Sequence, residues 1–136
     1  MSPEKIVFIA SICLVTIFVI SFIAMKLPKR LKQHKFKDKW KALQSRCSDK
    51  EQWNQAIIEA DNLLASALKK KKIKGSSTGE RLVAAQKLFS DNDAVWYGHK
   101  LRSKIDSDHS IVLKQEEVKK ALMGIGQGLK DIGALK

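Results

Sequence analysis

The chain has 136 residues, and setting aside one long uncharged run near the N-terminus leaves about 110 for folding, which is one small domain and excludes a second. Two cysteines, Cys13 and Cys47, exclude a disulfide framework and a CxxC metal site, so the core has to hold by apolar burial alone. The net charge of +12 is lopsided: residues 26–47 carry nine Lys or Arg against Asp38 alone, which is two thirds of the excess.

From Ile6 to Met25 the chain runs twenty residues without a charge, which at about 1.5 Å per residue matches a hydrocarbon core of about 30 Å. Lys26, Lys29 and Arg30 follow at once in a stop-transfer arrangement. A cleaved signal peptide would have a shorter apolar run and a small-residue cleavage site. Residues 1–27 are therefore expected to be a single-pass transmembrane anchor. The dense cations on its C-terminal side put the rest of the chain in the cytoplasm and the N-terminus outside, at the plasma (inner) membrane in a bacterium. Lys26, Lys29, Arg30, Lys32, Lys35 and Lys37 are expected at the membrane surface, each attracted to anionic lipid headgroups by about 1 kcal/mol.

Pro28 is expected to close the first helix. Residues 28–47 then place Leu31, Phe36, Trp40 and Leu43 in a cationic background, a basic amphipathic helix leaving the membrane and resting partly on lipid and partly on the domain. The helical bundle is expected over residues 48–136. Ser48 with Glu51 makes a capping-box pattern, and Trp53, Ala56, Ile57, Ala60, Leu63, Leu64, Ala67 and Leu68 recur at steps of three and four. Lys69–Lys72 suit the negative end of that helix, and Gly75–Gly79 make a turn without the GxxxxGK[ST] spacing of a nucleotide loop.

Glu80–Phe89 reads as a short helix offering Leu82, Val83, Ala85, Leu88 and Phe89 for burial, with cap chemistry in Ser90–Asp93. A further helix over 94–105 carries Trp96, His99 and Arg102 along one face, and the loop after it holds His109. The last helix has the stripe Val118, Leu122, Ile125, Leu129 and Ile132. Gly124, Gly126 and Gly128 each weaken it by about 1 kcal/mol relative to Ala, so either its C-terminal half is loose or another backbone comes close there. No strand-like alternation is present. The fold class is all-α: one transmembrane helix, then a bundle of four or five helices.

No HExxH, His/Cys cluster or GxSxG elbow is present, so metal and serine-hydrolase chemistry are not expected, and neither is a cofactor. What remains is the group Trp96, His99, Arg102 and His109. A guanidinium can fork onto phosphate oxygens, and an imidazole can move a proton near neutral pH. The bland alternative makes Trp96 a core or interface anchor, His99 a hydrogen-bonded core histidine and Arg102 a cross-link between helices.

The segments WNQAIIEADNLLASAL, GSSTGERLVAAQKLF and VWYGHKLRSKIDSDHSIVLKQEEVKKAL resemble small bacterial proteins, single-pass membrane proteins among them, of mostly uncharacterised function. In those proteins an AI-x-EAD-x-LL helix and a GERL segment precede a W-x-x-HK-x-R helix. Their last part is similar to HEPN domains, helical bundles whose RNA-cleaving members use an R-x4-6-H motif, usually as dimers and without metal. The resemblance spans about residues 50–135, and Arg102 with His109 fits R-x6-H. In the closer relatives Asn follows the arginine and histidine stands about five residues after it, positions that hold Ser103 and Ser107 here.

These features predict a membrane-anchored, HEPN-like interaction or scaffold domain without retained catalysis, pairing through the Trp96 helix and the glycine-bearing last helix. The alternative is a metal-independent endoribonuclease or RNA-binding domain. There Arg102 and His109 would be catalytic, with Trp96, His99, Lys100 and Lys104 binding. The partners expected are the bilayer with its anionic headgroups, a second copy of the chain and RNA, with no small-molecule substrate identified.

Overall fold

The computed structural model describes residues 2–26 and 31–136, with the side chain of Lys26 left aside. Pro28, Lys29 and Arg30, read above as helix stop and membrane surface, lie outside the described residues, as does the Lys26 side chain. Among the described residues six α-helices follow in order: α1 Pro3–Lys26, α2 Gln33–Ser45, α3 Trp53–Lys70, α4 Thr78–Ala84, α5 Asn92–Ser107 and α6 Gln115–Asp131. Among the described residues there is no strand.

The apolar side chains of α1 are exposed along its whole length, and the helix is long and apolar enough to cross a membrane. The remaining five helices share a core. Phe36 and Leu43 of α2 are buried in one cluster with Ala60, Leu64 and Leu68 of α3, Leu82 of α4, Val95 of α5, and Ile125 and Leu129 of α6. The basic segment thus supplies core side chains, and the core starts before residue 48, where the sequence pattern places the edge of the bundle. A second cluster, Ile57, Leu101, Ile105, Leu113, Val118 and Ala121, fills the space between α3, α5 and α6 farther along.

Local chemistry sets the helix ends. Ser48 does not cap α3; it ends a 3-10 turn, and the Asp49 carboxylate accepts from Glu51 N at 3.0 Å, so the helix starts at Trp53. At the other end Lys72 adopts a positive φ of 59°, and Ile73 N bonds back to Leu68 O while Lys72 N bonds to Lys69 O. That Schellman ending turns the lysine run aside and lays Ile73 against the core. Ser77 caps α4 through Glu80 N, and the Glu80 carboxylate returns to Ser76 N and its hydroxyl at 2.7 and 2.8 Å. Those bonds hold its carboxyl below the usual range. The expected helix from Glu80 to Phe89 stops at Ala84 and continues as a 3-10 turn, so Leu82, Ala85 and Phe89 are buried while Val83 and Leu88 face outward.

The three glycines of α6 are explained by close approach, not looseness. A methyl on Gly124 would lie 2.2 Å from Ala94 O, so the α5 backbone runs directly over it. On α5, a methyl on Gly98 would lie 2.6 Å from the Ile125 side chain. Gly128 faces Val95 and Phe89, and Gly126 lies under the Trp40 ring. The glycine surface proposed for pairing is therefore occupied from within the chain.

Candidate functional site

The site begins with a residue outside the expected set. Asp61 stands on the buried face of α3, one turn after Ile57 and three residues before Leu64, with its side chain only 2% exposed. An unpaired carboxylate at such a place would be strongly unfavourable, so it must meet cations or donors. The face of α5 that carries His99 and Arg102 supplies them. His99 Nδ1 lies 3.1 Å from each Asp61 oxygen, and Arg102 Nη1 donates to Asp61 Oδ2 at 3.2 Å. Because a carboxylate accepts, Nδ1 is the protonated ring nitrogen of His99.

Arg102 is held on three sides. Its Nη1 also donates to Asn62 Oδ1 at 2.8 Å, and its Nε lies 2.7 Å from Asp106 Oδ2, an ion pair one turn along α5. Trp96 packs its ring edge-on to the His99 imidazole, with centroids 5.7 Å apart and planes at 77°. Gly79, in the first turn of α4, closes the cluster from above: a methyl there would stand 3.8 Å from Trp96 and 3.9 Å from His99 Nε2.

The structure thus brings Trp96, His99 and Arg102 together as the helical spacing predicts, around an acid that the spacing leaves unnamed. His109 is not part of the group. It is exposed in the turn after α5, next to Asp108, and among the described residues no hydrogen bond or ion pair joins it to Arg102. Ser107 is the last residue of α5, and its hydroxyl donates to Ser103 O at 3.0 Å. Asp108 accepts from the Ser110 hydroxyl and backbone N–H, which hold its carboxyl below the usual range and fix the turn. Lys100 and Lys104 are exposed on the outer side of α5. Among the described residues no cluster of three His, Cys, Asp or Glu side chains could hold a metal ion.

A signal for Asp61 was present. Positions 57, 60, 61, 64 and 68 share one face of α3, and a lone acid inside an apolar stripe has to find a partner in the fold. Asn62, which faces solvent on the same turn, left no such mark.

A groove of about 520 Å³ opens on the other side of the bundle, between α2 and α6. Trp40, Trp53, Leu122 and Met123 form its apolar walls, with Lys119 and Lys130 among the polar residues along it. Met123 is 66% exposed, and Trp53 is fixed by its Nε1–H donating to Cys47 O at 2.7 Å. The Cys47 thiol, also in the groove wall, has its pKa raised by burial, against the opposing charge of Arg46.

Comparison with protein-family models, with characterised proteins and with solved structures finds no match to this chain.

Proposed function

We propose that the protein is a single-pass protein of the plasma (inner) membrane whose cytoplasmic, HEPN-like bundle is an interaction or scaffold module without catalysis. The exposed apolar surface of α1 and the cations that follow it support the anchor and its orientation. The observation that carries the module reading is the engagement of Arg102. A phosphate-binding guanidinium has to be free to fork onto oxygens, whereas this one is directed at Asp61, Asn62 and Asp106. The histidine that would work with it lies beyond the helix end, and a serine stands in the relatives' position.

The α2/α6 groove is the surface such a module would use. Apolar walls beside Lys119 and Lys130, on a chain of net charge +12, match an amphipathic helix with acidic flanks better than a second copy of a basic chain. The endoribonuclease or RNA-binding reading keeps one favourable observation: Lys100, Lys104 and His109 are all exposed.

One preparation separates the two readings. Full-length protein in lipid nanodiscs is mixed with single-stranded RNA in excess chelator, beside the Arg102→Ala/His109→Ala variant, and is titrated separately with an acidic amphipathic helical peptide. The expected result is no RNA cleavage that the variant loses, and peptide binding that Met123→Glu weakens about tenfold or more, as for an interface anchor. Chelator-resistant cleavage that disappears in the double variant would replace the module with the nuclease.

A further inference from the structure

The lysine run after α3 is more than a helix ending requires. Lys69, Lys70, Lys71, Lys72 and Lys74 put five cations in six residues, and no acid occurs between Asp61 and Glu80. Favourable contact with a helix dipole is limited to the last turn, so it accounts for only part of the run.

The fold brings this run to the end of the bundle that is tied to α1. Lys70 Nζ sits 5.3 Å from the centroid of the Phe36 ring in the first turns of α2. Lys71 Nζ donates to Ile132 O at 2.9 Å, Gln33 Nε2 donates to Gly133 O at 3.1 Å, and Lys72 Nζ reaches Met25 O at the end of α1. The start of α2 and the ends of α3 and α6 are therefore one surface. Gln33 follows Lys26 by seven residues. That stretch spans at most about 25 Å, so the chain itself keeps this surface near the end of α1.

Its charge is not cancelled locally. Lys69, Lys70, Lys72 and Lys74 are exposed, as are Lys32 and Lys35 at the start of α2. Among the described residues no ion pair joins any of these lysines to an acid, although Asp38 is exposed on α2 three residues after Lys35.

We propose that Lys69, Lys70, Lys72 and Lys74, with Lys32 and Lys35, form a membrane-facing surface that seats the bundle end-on against anionic phospholipid headgroups. The inference rests on α1 spanning a bilayer. It assigns the second lysine run to lipid and stands α3 away from the membrane. The opposite end, with the turns at 46–52 and 108–114 and with His109, then lies about 27 Å farther into the cytoplasm, the length of an 18-residue helix.

The test uses the full chain in nanodiscs of phosphatidylcholine alone or with phosphatidylglycerol, acylated by a membrane-impermeant amine reagent and read by peptide mass spectrometry. Lys72 and Lys74 are expected to react about five-fold more slowly in the anionic discs, while Lys104 and Lys114 at the far end are unchanged. At about 1 M salt, where the screening length falls to about 3 Å, the difference should vanish. In Lys72→Glu/Lys74→Glu, Lys69 and Lys70 should regain the rate seen in neutral discs. Equal rates in both discs, uniform slowing of every lysine, or continued protection of Lys69 and Lys70 in the variant would each overturn the docking alone. A chain that enters neither disc overturns the anchor instead.

Discussion

At the scale of single residues, Asp61 organises the site. A carboxylate 2% exposed between His99 and Arg102 is stable only while both partners stay, because desolvation costs each ion several kcal/mol and their attraction returns it only in good geometry. Asp61→Ala removes the acceptor of His99 Nδ1 and one of the three partners of Arg102, and is expected to lower stability by about 1–3 kcal/mol. His109→Ala, in an exposed turn, is expected to change stability by under about 0.5 kcal/mol. Thermal and urea unfolding of the full chain in mild detergent measures both. The spacing of Trp96, His99 and Arg102 was readable because steps of three fall on one side of a helix. Their common partner was not, because it comes from a helix 38 residues earlier in the chain.

At the scale of elements, the pairing of α5 with α6 depends on what glycine lacks. The two backbones approach until a methyl on Gly124 would sit 2.2 Å from Ala94 O, and a main-chain carbonyl cannot move aside as a side chain can. Gly124→Ala should gain about 1 kcal/mol in helix propensity but lose more to this overlap. A net destabilisation of about 2 kcal/mol or more is expected from the same unfolding measurement. Gly126→Ala meets only the half-buried Trp40 ring, which can shift toward the groove, so its cost should be clearly smaller. A similar hook joins the start of α5 to the end of α6. Asp131 is raised by partial burial, but the Ser90 N–H and hydroxyl and the Gln127 amide outweigh that and hold its carboxyl below the usual range. The sequence offered two meanings for the glycines, looseness or close approach, and only the neighbouring helix could choose between them.

At the scale of the whole molecule, charge and hydropathy divide the chain into an exposed apolar helix and a basic bundle. If α1 spans the bilayer with the C-terminal side in the cytoplasm, as proposed, a cysteine at the start of α1 and one in the far turn should lie on opposite sides of the membrane. In a Cys13→Ala/Cys47→Ala background, Ser2→Cys is expected to react with an impermeant maleimide on intact cells. Ser110→Cys should react only after permeabilisation. The reverse pattern would invert the proposed topology. Cys47 has to be removed for this purpose even though burial raises its thiol pKa and slows it, since slow labelling would blur the comparison.

By itself the sequence determined the apolar helix, the all-helical class and the buried stripes of α3 and α6. Each of these follows from short-range periodicity, and a 3.6-residue repeat needs no knowledge of what lies across the core. It also placed Trp96, His99 and Arg102 on one side of α5. The tertiary structure decided the rest. It drew α2 into the core through Phe36 and Leu43 and set Asp61 between His99 and Arg102. It left His109 apart and gathered the second lysine run beside the start of α2. Those outcomes depend on pairs of residues far apart in the chain, and such pairs are fixed by the packing of helix on helix, which local patterns do not encode.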